Sequence, residues 1–365
     1  MTITFTCGVK SCLAQSRVFV DLSLEYVGKY DLPKMKYKDT PVGGLSGITY
    51  DRSRDRFYII SDDRGNLAPA RFYTMKLDIN PKGIKKIQVE NVTFLRDKNG
   101  KTFAPNTTDT EGIALTPDGT VFISSEGNVE QKVPQFIKQF SIKTGKEVSS
   151  LMIPKRYTAD GVGEKQKRGI QNNLGFEGLT LSPTGTVAKG EPFRLFTVTE
   201  SSLVQDIDQD GEKGARSRFL HYLISDNVPV LIAEHLYNLE VPPEGAMYHG
   251  VSEILSIDQN GHFLSLERSF GLLGFTIKIY QLTLGGATDT SQILSLKGNI
   301  NKVKPIKKKL VLDLDKLGIT LDNLEGMTLG PRFKDGSKSL ILVSDDNFSQ
   351  DQVTQFLLFK IKGKI

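Results

Sequence analysis

Acidic side chains recur in this 365-residue chain at positions where they could bind cations together. Five similar segments each carry an acidic or hydroxyl residue near the start and an acid near the end, here called the start and end positions. The start and end positions are Ser46 and Asp62, Glu111 and Glu126, Glu177 and Glu200, Ser252 and Glu267, and Glu325 and Asp345. Gly follows four of the start positions, and Glu253 follows the other. Crowded carboxylates repel one another, so they must raise their pKa values, bind cations, or both.

Ca²⁺ is the cation that this set of side chains predicts. It takes about six to eight oxygen ligands in flexible geometry, and carboxylates, Ser hydroxyls and loop carbonyls supply them. Zn²⁺ is disfavoured because the chain has only four His and two Cys, and Cys7 and Cys12 both lie near its start. Some of the acids are expected to hold neighbouring strands together rather than bind metal, and the sequence leaves open which ones.

A second group of acids resembles the start of a calcium-binding loop. Asp206, Asp208 and Asp210 alternate with other residues and precede Gly211. The twelfth position is Ser217 rather than Glu, and no helices flank the segment, so it is not an EF-hand. The pattern favours a surface Ca²⁺ loop, with an ordinary acidic turn as the alternative.

Each pair of start and end positions encloses a predicted β-hairpin. A run of alternating apolar residues is followed by a turn rich in Pro, Asp, Asn and Gly and by a second β-rich run. The segments are GLSGITYDRSRDRFYIISDD from Gly44, TEGIALTPDGTVFISSEG from Thr110, FEGLTLSPTG from Phe176 resumed by FRLFTVTES from Phe193, VSEILSIDQNGHFLSLERS from Val251, and LEGMTLGPRFKDGSKSLILVSDD from Leu324. Because hairpin strands are antiparallel, each start and end position lies at the same edge.

Further strand-like stretches after each hairpin predict four strands per repeat, and hence an all-β β-propeller. The fifth repeat lacks one strand, which residues 24–32 would supply, and such closure leaves only short edges. We predict five blades in one domain of residues 21–365, after an N-terminal segment of residues 1–20. Six blades remain open because residues 283–308 could hide strands, and two stacked β-sandwiches are the other alternative. Innermost strands surround the axis, so the start and end positions should meet at one mouth of a central channel.

Composition excludes several classes of protein. A net charge of +5, from 47 Lys and Arg against 42 Asp and Glu, is too slight for a nucleic-acid-binding protein. The apolar runs are too short for a membrane-spanning helix. The first residues make a poor signal peptide because Lys10 interrupts the apolar stretch, which leaves a cytoplasmic location open. We expect a monomer.

The repeated motifs resemble the phytase-like family, described as having esterase-like activity of phytase. The resemblance rests on GLSGITYD with FYIISDD, DTEGIALTPDGTVFISSEG, GFEGLTLSP with FTVTES, NLEGMTLGP with ILVSDDN, and the DQDGE loop, and runs from about Gly43 to the C-terminus. The family is named for a distant similarity to β-propeller phytases, which use Ca²⁺ in an acidic channel to bind phosphate and activate water. The resemblance therefore implies a Ca²⁺-dependent hydrolase of phosphoric esters, and it favours a secreted or periplasmic location.

Four residues are predicted to carry this reaction on a small-molecule phosphate ester or another anionic ester. Glu111 and Glu177 would hold the cation and its water, and Arg64 and Arg268 follow strand-end acids on the same face, where they could hold the ester. A serine esterase is an alternative, because Ser46 and Ser252 occupy start positions and His249 lies nearby, but neither serine has a nucleophile-elbow pattern. A non-catalytic propeller with a structural metal, binding a ligand or protein partner, is the other alternative.

Overall fold

A computed structural model of the chain describes residues 18–182, 191–208, 214–225, 229–272 and 274–363. They form five four-stranded antiparallel sheets, each with its innermost strand against those of the neighbouring sheets, which is a five-bladed β-propeller. The predicted fold and blade number are confirmed. Six blades is wrong, because residues 284–306 are a connection without a strand.

The five blades follow one another along the sequence, and the first strand of each repeat is the innermost strand of its blade. A strand β1 (Leu22–Leu32) and a small hairpin of β2 (Met35–Tyr37) and β3 (Thr40–Val42) come first. Blade 1 contains β4 (Leu45–Asp51), β5 (Arg56–Ser61), β6 (Arg71–Asn80) and β7 (Gly83–Phe94). Blade 2 contains β8 (Thr110–Leu115), β9 (Thr120–Ser125), β10 (Phe136–Ser141) and β11 (Glu147–Ser150). Blade 3 contains β12 (Phe176–Leu181), β13 (Phe193–Thr199), β14 (Arg216–Ile224) and β15 (Val230–Asn238).

The last two blades complete the circle. Blade 4 contains β16 (Ala246–Ser256), β17 (His262–Gly271), β18 (Gly274–Thr283) and β19 (Lys307–Asp313). Blade 5 contains β20 (Leu324–Arg332), β21 (Lys338–Ser344) and β22 (Thr354–Gly363), with β1 as its outermost strand. Helical structure in the described residues is limited to four short 3₁₀ turns, at Lys155–Tyr157, Gly163–Lys165, Val204–Asp206 and Leu314–Leu317. None of the described helices is long and apolar enough to cross a membrane.

Tight turns join the first two strands of blades 1 and 2. Between β4 and β5, Asp51 Oδ1 accepts hydrogen bonds from the amides of Ser53 at 2.9 Å and Arg54 at 3.1 Å. Between β8 and β9, Gly119 adopts a φ of +79°. Asp side chains that bind the following backbone, and Gly with a positive φ, both favour tight turns. These turns lie at the end of the blades opposite to the predicted acids.

Apolar side chains fill the spaces between neighbouring blades. Between blades 3 and 4, Phe263 packs against Phe196 and Phe219 with ring centroids 4.8 and 5.3 Å apart, close to edge-on. Edge-to-face aromatic pairs contribute about 0.5–1.5 kcal/mol beyond the area that they bury. The first two strands of blades 1 and 2 are buried on both faces, which fixes the ends of those strands relative to one another.

Candidate metal centre

Strand register brings most of the predicted acids to one end of the propeller. The amide of the residue after the second strand donates to a carbonyl just before the first, in the pairs Asp62 to Gly44, Glu126 to Asp109, Glu200 to Gly175, and Asp345 to Asn323, at 2.6–2.9 Å. These four acids therefore occupy equivalent positions in blades 1, 2, 3 and 5. We call them, together with Asp109, Glu111, Glu177 and Glu325, the acidic ring.

Blade 4 differs, and the predicted position of Glu267 in the ring is wrong. β17 does not end at Glu267 but continues to Gly271, with Glu267 opposite Val251 and Arg268 opposite Gly250. Arg268, not Glu267, therefore occupies the position of the four strand-end acids. Glu267 is buried away from the ring and accepts hydrogen bonds from Lys308 at 2.6 Å and from the Tyr237 hydroxyl at 2.7 Å.

Five acids form two overlapping groups that could hold a metal ion. Asp62, Asp109 and Glu111 each place a carboxylate oxygen within 4.8 Å of the others, and so do Glu111, Glu126 and Glu177. Glu111 belongs to both groups. All of the possible ligand atoms in these two groups are carboxylate oxygens, which suit hard cations such as Ca²⁺ and not Zn²⁺.

Asp109 was not predicted from the sequence. It lies two residues before Glu111, where the other blades have Gly44, Gly175, Gly250 and Asn323. The only feature of the sequence that could have indicated Asp109 is that it is the one acid at this position of the repeat. The side chain becomes part of the centre because the Asp109 carbonyl accepts from the Glu126 amide, which places both residues at the end of blade 2.

Burial and crowding raise the pKa values of these acids. Burial is the largest cause for Asp62, and Asp109 and Asp345 add repulsion. Burial also raises the pKa of Glu111, with further contributions from Asp62 and Glu177, and that of Glu177, with contributions from Glu200 and Glu126. The pKa of Glu126 rises to about 8, chiefly through burial and then through Glu200. Without a cation, Glu126 therefore favours its protonated form at neutral pH, and the pKa values of Asp62, Glu111 and Glu177 are shifted in the same direction.

An unpaired oxygen supports a cation at this end. Asp62 Oδ1 is buried and has no hydrogen-bond partner among the described residues. Burying an unpaired carboxylate oxygen is costly unless the group is protonated or binds a metal. Other oxygens of the ring are engaged, since Glu126 Oε1 accepts from the Gly175 amide at 2.5 Å and Asp345 Oδ1 from the Asn347 amide at 2.6 Å. Some oxygens of the ring are therefore free to bind a cation, whereas others hold the backbone. The sequence did not show which acids have which role.

Both predicted arginines lie at the ring and contact its acids. Arg268 is buried and binds Glu200 Oε1 at 3.1 Å and also Glu325. Arg64 Nε binds Asp109 Oδ1 at 2.8 Å, its Nη2 binds Asn173, and 37% of its side chain is exposed. Arg268 therefore neutralises the side of the ring formed by blades 3 and 5, whereas Arg64 is the one cation paired with the five-acid group in the described residues.

The two serines at start positions, and Glu253 after the second of them, contact neighbouring blades. Ser46 donates to the carbonyls of Thr110 and Glu111 at 3.1 Å, and Ser252 donates to the Leu324 carbonyl at 3.3 Å. Glu253 is buried and accepts from the amides of Leu179 at 3.1 Å and Ile254 at 2.9 Å. The geometry gives Glu253 a structural role rather than a place among the metal-ligand oxygens.

The predicted calcium loop is engaged by arginines. Asp206 is fully buried and binds Arg218 at 2.6 and 3.0 Å, and it also accepts from the Leu296 amide at 2.7 Å. Asp208 binds Arg216 at 3.0 Å. Asp210 lies outside the described residues. The geometry does not bring Asp206 and Asp208 to a common cation, so the calcium loop plays no part in the function proposed below.

The serine-esterase alternative finds no support at the predicted residues. His249 Nδ1 lies 2.7 Å from Ser269 Oγ, and its Nε2 lies 3.0 Å from the Glu240 carbonyl oxygen. Neither hydrogen bond involves Ser46 or Ser252, whose hydroxyls donate to backbone carbonyls. A serine nucleophile needs a base within hydrogen-bond reach.

Residues 40–348 match the family model described as phytase-like, with esterase-like activity of phytase. The chain belongs to the phytase-like family. Among curated proteins, no sequence matches it.

Among solved structures, this phytase-like chain is similar to the endo-arabinase of Bacteroides thetaiotaomicron VPI-5482, with 11% identity and a TM-score of 0.47 over 89% of this chain and 95% of that one. It is also similar to the catalytic domain of the Coprinopsis cinerea GH62 α-L-arabinofuranosidase, with 10% identity and a TM-score of 0.41 over 94% and 98% of the two chains. Identities this low carry no argument about the reaction, which is argued from the site.

Proposed function

We propose that this protein is a Ca²⁺-dependent hydrolase of phosphoric esters that uses a metal-activated water at the acidic ring. The observation that carries the proposal is the five-acid group of Asp62, Asp109, Glu111, Glu126 and Glu177, which shares Glu111 between two possible cation positions. Burial and mutual repulsion raise the pKa values of Asp62, Glu111, Glu126 and Glu177, so simultaneous ionisation of these carboxyls is disfavoured. A divalent cation relieves that repulsion.

Each part of the ring has a definite task in this reaction. A bound Ca²⁺ supplies positive charge that lowers the pKa of a water and neutralises phosphate oxygens. Glu111 and Glu177 would hold the cation and orient its water through their carboxylate oxygens. Arg64, with its partly exposed guanidinium, binds a phosphate oxygen of the ester. Arg268 positions Glu200 and Glu325 and contributes positive charge at the edge of the site.

The experiment measures hydrolysis of phosphate monoesters and diesters by the purified protein, with Ca²⁺ and after chelation. Chelation should abolish turnover and added Ca²⁺ should restore it. Glu111→Gln and Glu177→Gln should each lower turnover by about 100-fold, because each removes a ligand oxygen charge. Glu130→Gln, an exposed acid in the loop after β9, is the matched control and should retain full activity. Turnover that survives chelation and both ring substitutions would contradict the metal mechanism.

A non-catalytic propeller with a structural cation remains the second candidate, because Arg64 and Arg268 are both paired with carboxylates instead of being free to hold an ester. In that case chelation lowers the temperature of unfolding while no ester is hydrolysed, since metal bound only to the folded state stabilises it. Under the first candidate we propose a monomer that acts on a small-molecule ester. A secreted or periplasmic location stays a prediction.

A further inference from the structure

One blade extends its hairpin beyond the acidic ring. At ring level Gly250 pairs with Arg268, and β16 and β17 continue pairing through Tyr248 with Phe270 to Ala246 with Gly271. In blades 1, 2, 3 and 5 the first strand starts directly after the ring-level residue. About four extra residues per strand reach roughly 13 Å above the ring. We call residues 246–249 with residues 269–272 and 274–276 the blade 4 ribbon.

Tyr248 lies on the face of the ribbon that is directed over the ring. A β-carbon added at Gly250 would collide with the Glu200 side chain, so this face of β16 is directed at Glu200, whose carboxylate binds Arg268. Tyr248 is two residues earlier with no register shift between them, and therefore projects from the same face. It is 62% exposed.

The ribbon carries further aromatic side chains beside Tyr248. Phe270, the cross-strand partner of Tyr248, projects from the same face and packs against Phe275 with a centroid distance of 4.8 Å and a tilt of 40°. Met247 and Leu272 are also largely exposed, at 60% and 90%. A rigid aromatic ring with a polar tip binds ligands at low entropic cost. Such a surface beside a charged centre favours ligands that have one charged group and one apolar group.

The cations at this end leave little attraction for a polyanion. Besides Arg64 and Arg268, two cations near the ring are Lys34, which binds Asp346, and Arg71, which is fully buried and binds Asp63. All four are paired with carboxylates. A substrate with many phosphates would therefore gain little beyond its contact with the metal, whereas a single phosphate joined to a flat apolar group would contact both the ring and the ribbon.

We propose that Tyr248 determines specificity by stacking on the aromatic or apolar group of a singly phosphorylated ester bound at the acidic ring. This inference rests on the proposed function for the position of the phosphate. The stacking itself is a binding contact, so it is measurable without turnover.

The experiment titrates the Ca²⁺-loaded protein with phenylphosphonate and methylphosphonate, which are not hydrolysed. Phenylphosphonate should bind about five- to tenfold more tightly, as expected for one aromatic stacking contact. Tyr248→Ala should remove that difference without changing Ca²⁺ affinity, and Tyr248→Phe should retain it. Met152→Ala, at an apolar side chain that is 79% exposed beyond β11, is the control and should have no effect.

The outcomes separate this inference from the proposed function. Equal binding of the two phosphonates, binding of neither, or a preference that survives Tyr248→Ala would overturn the role of Tyr248. A Tyr248-dependent preference in a protein that hydrolyses no ester would support the binding role and contradict the proposed hydrolase. With turnover, Tyr248→Ala should raise KM for phenyl phosphate and leave KM for methyl phosphate unchanged.

Discussion

At the scale of single residues, the acidic ring has two chemically different sides. Glu200 and Glu325 share Arg268, which opposes the rise in pKa that burial causes for both. Among the described cations, only Arg64 forms an ion pair with the five-acid group, and Arg64 is partly exposed to solvent. Removing charges from water without sufficient compensation is expensive, so the five-acid group must gain protons or cations. This difference locates the proposed cation on the side of blades 1, 2 and 3.

The raised pKa of Glu126 predicts how stability depends on pH without metal. Its pKa of about 8 in the folded protein lies above the usual value of about 4.3. The folded state then holds a proton that the unfolded state loses, so this contribution is fully present below about pH 4 and lost as the pH rises through about 8. The free energy of unfolding should fall between these limits, by up to about 1.4 kcal/mol per pH unit for each extra proton.

Denaturant unfolding from pH 5 to pH 8 checks this expectation. Excess Ca²⁺ should flatten the dependence, because the cation replaces the protons on the ring. Glu126→Gln should reduce the slope in the chelated protein, and Glu130→Gln should not. A metal-free protein that becomes more stable toward pH 8 would contradict the assigned protonation of the ring.

At the scale of strands and hairpins, glycines set how closely the inner strands approach. A β-carbon on Gly112 would lie 2.7 Å from the Glu177 carbonyl oxygen, and one on Gly178 would lie 2.6 Å from the Ile254 amide nitrogen. Both glycines directly follow ring acids. The Glu-Gly pairs of the sequence thus combine a ligand-type side chain with the small residue that lets the next blade approach it.

Substitution of Gly112 tests this close packing. Gly112→Ala should lower the free energy of unfolding by about 1–3 kcal/mol, because the added methyl group must displace backbone of the next blade. Gly28→Ala, in the outermost strand β1, is the control. Its β-carbon would lie 3.8 Å from the nearest atom, Gly83 Cα, which is an ordinary contact. Urea unfolding of both variants measures the difference, and equal stability of the two would show that the inner strands can separate without cost.

Strand register also decides how much could be predicted from the sequence. The repeated hairpins predicted the blades and the convergence of eight acids, of which all but Glu267 lie at the ring, since alternating apolar residues and turn residues are local signals. The predicted strand end at Glu267 was wrong because nothing local shows that β17 continues past it, and Arg268 takes the place assigned to Glu267. The engagement of Asp206 by Arg218 was missed for a similar reason, because their contact depends on how β14 passes the preceding turn.

At the scale of the whole molecule, one strand closes the ring of blades. β1 pairs antiparallel with β22 along its length, from Leu22 opposite Gly363 to Leu32 opposite Thr354. Without β1, the β22 strand would present unpaired backbone groups at an open edge, which is a template for aggregation. The two ends of the described chain meet in this blade, so closure depends on contacts that are distant in sequence.

A truncated chain and a circular permutant test whether the pairing of β1 with β22 stabilises the propeller. Deleting residues 1–32 should lower the free energy of unfolding by about 3 kcal/mol or more, because apolar side chains of β1 and its backbone hydrogen bonds are lost, and it should promote aggregation. A circular permutant that joins Gly363 to Leu22 through a short Gly-Ser linker keeps β1 beside β22. With new ends between Lys98 and Asn99, an exposed turn between blades 1 and 2, it should fold with nearly unchanged stability. Urea unfolding and light scattering report both properties. If the deleted chain unfolds at the same urea concentration as the parent and stays monomeric, β1 does not secure the propeller.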